Sequence, residues 1–383
     1  MSRVRVMLWV QHLMGIGHQR RAALIAERLC RRGAEVCYVS GGYPVPDLNP
    51  GAARLVQLPP ARAADASYRT LLDERGEPVS AAWQRGRREL LLEAFDDFRP
   101  HALVTESYPF GRGLLRFELE PLIERASQAR PRPRVICSVR DIIQRRSQKR
   151  DQAIAELVLA RFDRVLVHSD PKVVEFAASF SAADAIRERL LYTGYVADDA
   201  AEGAAGEIAG TGVLVSGGGG VVAGRLLEAA IRARPLSRLR HEPWRVLAGP
   251  AVGEPEFQEL KKFADGSVRV ERNRADFSAL LAASRVSVSQ GGYNTLVDVI
   301  RARARAVVVP FSDGDQTEQP ARARLFAGKD LVQVLASNEL TPSRLAAAID
   351  KAAHGPRPAA GILDLSGADR AAEMVIAGLG ECA

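Results

Sequence analysis

Twice along this chain a short, uninterrupted apolar run leads into a glycine turn and then into a helical repeat. The first run is Val4–Val10. Gly15 and Gly17 follow it, then Gln19–Arg32, in which Ala22, Ala23, Ile25, Ala26 and Leu29 recur at helical spacing before Gly33. The second comprises Val213–Ser216, the four glycines Gly217–Gly220, and Val221–Arg234. Apolar runs without alternation mark strands buried on both faces. Joined by helices, such strands form a parallel sheet with right-handed crossovers. The expected fold is therefore α/β, two Rossmann-like domains with parallel sheets flanked by helices and a cleft between them.

The remaining pattern fills in both halves. Strands are expected at Glu35–Ser40, Ala102–Thr105, Arg134–Ser138 and Arg164–His168, with helices at about Ala81–Asp97, Leu114–Ala129 and Asp151–Ala160. Leu55–Tyr68 has no clear period and reads as loop. The plan restarts after Ala197–Gly212, a small, polar stretch that reads as a linker. Strands are expected there at Trp244–Ala248, Val268–Glu271 and Arg285–Ser289, and helices at Phe277–Ala283 and Thr341–Ala353. The division reads as an N-terminal domain over 1–196, a linker over 197–212, a second domain over 213–365, and a last helix over 366–383 returning to the first domain. A chain of 383 residues is too long for one ordinary core, which agrees with two domains.

Composition narrows the setting. The four cysteines show no metal-ligand spacing and no disulfide framework, as in a protein of a reducing cytoplasm. The run Val4–Val10 is too short for a signal peptide core, and no run approaches the roughly 20 apolar residues of a spanning helix. At most the protein would rest on the inner face of a membrane. The net charge is +7, with the cation excess concentrated in residues 1–195. This suggests an anionic acceptor or a weak contact with an anionic membrane surface, although an Arg-, Ala- and Gly-rich genome accounts for it equally well. The Arg clusters lack interleaved aromatics, so nucleic acid is not an expected partner. The sequence sets no oligomeric state.

Chemistry concentrates where strands end. Gly217, Gly218, Gly219 and Gly220 stand between strand and helix, where backbone N–H groups can nest an anion. No Gly-Lys-Ser/Thr follows them, so they are not a P-loop, and no dinucleotide fingerprint is present. After Val286–Ser289 comes a second turn with Gly291, Gly292, Asn294 and Thr295, and its helix aims a positive dipole end at the same place. Asp298, one turn into that helix, can accept from ribose hydroxyls. Asp313, Asp315, Gln316, Glu318 and Gln319 follow the next strand, where ligand loops lie in such folds. Phosphate, ribose and polyol partners together imply a sugar nucleotide.

In the first half, His18 closes a turn with Gly15 and Gly17 and is a candidate general base. Glu106 ends the strand Ala102–Thr105 and is a second candidate base or acceptor contact. Arg140 and Asp141 hold the same position after the following strand. Ser169-Asp170-Pro171 reads as a helix cap with Pro at the first helical position.

These residues resemble the GT-B glycosyltransferases, and most of all the group whose C-terminal domain is shared with the lipid II-forming N-acetylglucosaminyltransferase of peptidoglycan synthesis. The matching pieces are Met14–His18, Ser216–Gly220, Ser289–Asp298 and Pro310–Gln319. The resemblance implies a bacterial, inverting glycosyltransferase with a nucleotide-sugar donor, in particular a UDP-sugar, and no metal or resident cofactor. It implies that Gly217–Gly220 and Gly291–Thr295 hold the diphosphate, Asp298 the ribose, and Asp315, Gln316 and Gln319 the donor sugar or adjacent phosphate. Arg274, in the loop Arg272–Phe277, would face the base, and His18 the acceptor. The loops Glu106–Arg112 and Arg140–Arg150 depart from the lipid-intermediate enzyme, so the acceptor stays open. Two other readings fit the fold: a sugar-nucleotide 2-epimerase, which needs several carboxylates around the sugar, and a nucleotide-sugar-binding protein without catalysis.

Overall fold

The computed structural model describes residues 3–65, 68–198, 211–218, 224–249, 252–264, 266, 268–274, 276–312 and 316–379. The expected linker lies almost wholly outside these residues, as do Gly219, Gly220, Asp313, Asp315 and the expected start of the helix at Val221. The chain divides into two compact units, Met1–Ala197 with Asp364–Ala383, and Asp198–Leu363.

The first unit runs β1 (Arg5–Val10), α1 (Gly17–Arg31), β2 (Glu35–Ser40), β3 (Arg54–Gln57), a short antiparallel pair β4 (Arg62–Ala63) and β5 (Leu71–Leu72), α2 (Ala81–Phe98), β6 (Ala102–Glu106), α3 (Arg116–Gln128), β7 (Arg134–Arg140), α4 (Gln148–Arg161), β8 (Arg164–His168) and β9 (Leu190–Tyr192). Its main sheet is parallel throughout, in the order β3-β2-β1-β6-β7-β8-β9. The stretch read as loop, Leu55–Tyr68, therefore contains most of edge strand β3 and all of β4. β3 is mostly exposed and pairs on one side only, so it carries no burial pattern.

The unbroken apolar run of β1 has a direct cause. Met7 and Trp9 enter the core on one face of the sheet, and Val6, Leu8 and Val10 enter the core on the other. α1 lays Ala22, Ile25, Ala26 and Leu29 on the second face, each almost wholly buried. An Ile or Leu buried there contributes about 1.5–3 kcal/mol. The helix stops at Gly33, whose φ of +81° lets Ala34 N–H reach back to Leu29 O at 3.1 Å.

The helix α11 (Gly367–Ile376) belongs to this unit. Its Ala368, Ala371, Ala372 and Val375 complete the α1 side of the core. Asp369 receives Arg28 at 3.1 Å and Arg32 at 2.6 Å. Gly367 is required at the start, because a Cβ there would come within 2.5 Å of Gly194 O.

The second unit runs β10 (Val213–Ser216), α5 (Gly224–Ala233), β11 (Trp244–Ala248), α6 (Glu254–Phe263), β12 (Val268–Arg272), α7 (Phe277–Ala283), β13 (Val286–Ser289), α8 (Tyr293–Arg301), β14 (Ala306–Val308), α9 (Glu318–Ala327), β15 (Gln333–Val334) and α10 (Pro342–His354). Its six-stranded parallel sheet is ordered β12-β11-β10-β13-β14-β15. Both sheets thus reverse direction at one place, between β1 and β6 in the first unit and between β10 and β13 in the second. Such a switch point leaves a crevice at the carboxyl ends of the two strands, the usual ligand position in open α/β sheets.

Candidate active site

At the switch point of the first sheet, β1 leads through Gly15 and Gly17 to His18 in the first turn of α1. The neighbouring strand β6 ends on Glu106. His18 and Glu106, read from the sequence as separate candidates 88 residues apart, form one pair: Nδ1 lies 2.7 Å from Oε1. Glu106 is only 1% exposed. Oε1 also accepts from Arg21 Nη2 and, at 2.9 Å, from Ser107 Oγ, while Oε2 receives Arg112 Nη2 at 3.3 Å.

The charge states follow from these contacts. Burial pushes the Glu106 carboxyl up, but the groups facing it win and hold it well below the usual carboxylate range. Burial lowers His18 well below its ordinary value; the Arg112 charge adds to this, and Glu106 opposes it incompletely. At neutral pH the imidazole is therefore uncharged, and the hydrogen bond from His18, together with the guanidinium groups of Arg21 and Arg112, keeps the carboxylate ionised. An ionised carboxylate can only accept, so His18 carries its proton on Nδ1 and donates it to Glu106. Nε2 is left as a lone pair. A carboxylate-oriented imidazole of this tautomer can take a proton from a hydroxyl.

The loop after Glu106 is firmly tied. Ser107 N–H donates to Ser138 O at 2.7 Å, and Thr105 Oγ1 to Tyr108 O at 2.9 Å. Phe110 sits edge-on to Phe176 and Phe180 at 5.1 and 5.0 Å between centroids. Arg146, in the loop Arg140–Arg150, donates to the Phe110 carbonyl and locks this turn from behind. Arg140 is half-buried at the end of β7, and its charge reaches both His18 and Arg112. His168 is a buried core residue between Ser138 Oγ at 2.7 Å and Thr193 Oγ1 at 2.9 Å. Ser169-Asp170-Pro171 caps no helix: a turn follows, in which Asp170 Oδ1 accepts from Lys172 N–H at 2.9 Å.

In the second unit the two glycine turns meet at the switch point. A Cβ added to Gly218 would lie 3.6 Å from Thr295 Oγ1. Gly218 has φ +64°, the left-handed region that glycine enters without strain. Gly217 is buried at the mouth of β10. α8 starts from Gly292 with no side-chain cap and no acidic residue in its first turn, so its positive dipole end favours an anion there. Arg322, buried beneath the turn, donates to Gly291 O at 3.1 Å and pairs with Glu318 at 3.1 Å. Gln319 Oε1 accepts from Gly291 N–H and Phe311 N–H, both at 3.0 Å. Its carbonyl is thus spent on joining two loops, and only its Nε2 can donate to a ligand.

Asn294, Thr295 and Asp298 all lie part-exposed on α8, and Asp298 Oδ1 pairs with Arg301 at 3.1 Å. Gln316 is half-buried just before α9. Arg274 is held in its loop by Asp276, at 2.7 and 2.8 Å. Gly219, Gly220 and Asp315 lie outside the described residues. Arg21, Ser107 and Arg112 escaped the sequence reading, although two signals point to them. Arg21 lies three residues after His18, on the same face of a helix. Arg112 closes the loop that Glu106 opens.

Residues 213–362 match the glycosyltransferase family 28 C-terminal domain. Over 175 residues the chain is 26% identical to the UDP-N-acetylglucosamine--N-acetylmuramyl-(pentapeptide) pyrophosphoryl-undecaprenol N-acetylglucosamine transferase of Rhodopseudomonas palustris, a match covering 43% of this chain and 46% of that protein. The chain thus aligns with about half the length of this curated relative. Among solved structures it resembles the glycotransferase of kitacinnamycin, with a TM-score of 0.63 and 16% identity over 98% of this chain and 96% of that one. It also resembles the MurG of Acinetobacter baumannii, with a TM-score of 0.58 and 12% identity over 97% and 99%.

Proposed function

We propose that this chain, whose second unit is a glycosyltransferase family 28 C-terminal domain within a GT-B fold, moves a sugar from a UDP-sugar to an acceptor hydroxyl with inversion at the anomeric carbon. The observation that carries the reading is the His18–Glu106 contact at 2.7 Å, with the imidazole neutral and its Nδ1 proton engaged. His18 Nε2 takes the proton of the acceptor hydroxyl. The acceptor oxygen bonds to the anomeric carbon as the bond from that carbon to the diphosphate oxygen breaks on the opposite face. UDP leaves with the electron pair. Its growing charge is met by the positive dipole end of α8 beside the two glycine turns. Asp298 accepts from the ribose, Arg274 sits in the loop assigned to the base, and Gln316 and Gln319 Nε2 donate to the sugar or phosphate.

The family of the second unit and the convergence of two glycine turns support a nucleotide-sugar donor. The basic first unit supports an anionic acceptor. No helix among the described residues is long and apolar enough to cross a membrane. A cytoplasmic enzyme with at most peripheral contact with a membrane surface fits this reading. The test is UDP release from a panel of UDP-sugars, with and without candidate acceptors. UDP formed by the wild-type chain and lost in His18→Ala supports the reading. UDP formation that survives both His18→Ala and Glu106→Gln would sink the assignment of the base, and failure of any UDP-sugar to bind would sink that of the donor.

A further inference from the structure

Three arginines gather on one short loop of the second unit and meet no carboxylate there. Arg303 Nε donates to Pro358 O at 3.1 Å, and Arg305 Nε donates to Gly355 O at 2.6 Å. Arg357 stands between these two held carbonyls, in the stretch Gly355-Pro356-Arg357-Pro358. All three arginines are half-buried, and no carboxylate among the described residues pairs with any of them. Burial lowers Arg305 below its ordinary value, and the charges of Arg357 and Arg285 lower it further. Of these, Arg285 is paired with Glu242 at 2.6 Å.

Arginines in such places ordinarily offset the negative ends of helices. α10 ends at His354, directly before the loop, and α8 ends at Arg301, two residues before Arg303. Each helix end is worth about half a negative charge, so the two together take up about one of the three positive charges. About two are left over, and half-buried guanidinium groups hold them. The backbone adds a second observation. Arg303 closes α8 with φ +50°, its N–H bonded to Ile300 O at 2.9 Å and that of Ala304 to Val299 O at 3.0 Å. Glycine usually makes this turn, and a non-glycine residue there is strained by about 1–3 kcal/mol. A charged side chain is thus kept where the backbone favours none. The staples through Nε fix the two guanidinium groups and leave their terminal NH2 groups without a partner among the described residues.

We infer that Arg303, Arg305 and Arg357 bind a phosphate group on the second unit. A phosphate monoester carries about −1.5 to −2 charges at neutral pH, which balances the positive charge left over. Its oxygens suit the paired N–H groups of a guanidinium. The place is not the one assigned to the donor. Arg305 immediately precedes β14 and Arg285 immediately precedes β13, whereas the glycine turn Gly291–Thr295 follows the far end of β13. The four residues of β13 set those two ends about 13 Å apart. Binding at the arginines is therefore independent of the donor reading. A free phosphorylated compound and a lipid phosphate headgroup present the same chemistry to this cluster.

The test uses the full chain with its arginines 15N-labelled. Inorganic phosphate is titrated while the Nε–H resonances of Arg303 and Arg305, assigned through Arg303→Lys and Arg305→Lys, are followed. The expected result is a saturable shift of both, with affinity weaker by about tenfold in Arg357→Gln, the loss of one charge-assisted contact. Arg357 makes no hydrogen bond within the described residues, so this variant keeps the fold, which thermal melts check. In parallel, sedimentation with vesicles of phosphatidylcholine, alone and with phosphatidic acid, separates the two sources. A saturable shift without sedimentation identifies a free phosphate compound. Sedimentation that requires phosphatidic acid and falls in Arg357→Gln identifies a lipid headgroup. The inference is overturned if neither is seen, or if Arg357→Gln leaves both the shift and the sedimentation unchanged.

Discussion

Replacing Glu106 by Gln changes one atom and should remove the reaction without removing the fold. The amide keeps the shape of the carboxylate, but its NH2 group can donate to His18 Nδ1. That inverts the tautomer and places the proton on Nε2, where the lone pair is needed. Loss of the correct tautomer in a carboxylate–histidine pair lowers kcat by about 10^4-fold in the best-studied case, and a fall of 10^3–10^4-fold is expected here. The structure also sets the stability cost. Arg21 and Glu106 are 2% and 1% exposed, so the substitution leaves a buried guanidinium without its counter-charge. Breaking such a pair costs about 3–5 kcal/mol. In a unit of this size each kcal/mol lowers Tm by about 2–4 °C, so the variant should melt roughly 6–20 °C below the wild type. The assay is UDP release at a temperature where circular dichroism shows the variant folded, together with the double variant His18→Ala/Glu106→Gln. Residues acting as one unit are not additive, so the double variant should be no slower than His18→Ala alone. A folded Glu106→Gln that retains turnover within tenfold of the wild type refutes the argument.

Activity should be lost as pH falls, because protonation of His18 destroys the base. Its lowered value puts the midpoint of the acid limb in kcat below pH 6.5, and a midpoint above 7 would contradict the burial argument. Stability should fall in the same direction. His12 and His168 are lowered to about 4 and about 3, so the unfolded chain binds protons first as pH drops below 6.5. Each then removes about 1.4 kcal/mol per pH unit until its folded value is reached. Urea melts between pH 7 and pH 4 check this slope. Gly41→Ala should destabilise the first unit by about 3 kcal/mol or more, since the new methyl overlaps the buried Arg87 guanidinium that pairs with Glu118 at 2.6 Å; a Tm within 2 °C of the wild type would exclude this. Asp298→Asn should weaken UDP binding by about tenfold, the value of one charge-assisted hydrogen bond, with Tm little changed; calorimetric titration with UDP reads the change.

The elements that set the fold were readable because they are buried. β1, β2, β8 and β10 carry continuous apolar runs, and their observed limits fall within a residue of those expected. The edge strands β3 and β9 were not readable: β3 is mostly exposed and carries no apolar signal, and β9 is only three residues long, Leu190–Tyr192. The site was half legible. Glycine turns and strand ends located Gly217–Gly218, Gly291–Thr295, His18 and Glu106. Their pairing was hidden, because it depends on β6 lying next to β1, and strand order is not written in local periodicity. Arg21 was hidden for another reason. Arg20 faces solvent and Arg21, three residues after His18, faces Glu106; that spacing gains meaning only once His18 and Glu106 are known to meet.

The claim on which the account turns is that His18 is a neutral base whose Nδ1 proton is held by Glu106. A long-range 1H–15N correlation spectrum of the histidine-labelled chain at neutral pH reads this directly. The account predicts a protonated, pyrrole-type Nδ1 and a pyridine-type Nε2 for His18. A ring protonated on Nε2, or on both nitrogens, contradicts it.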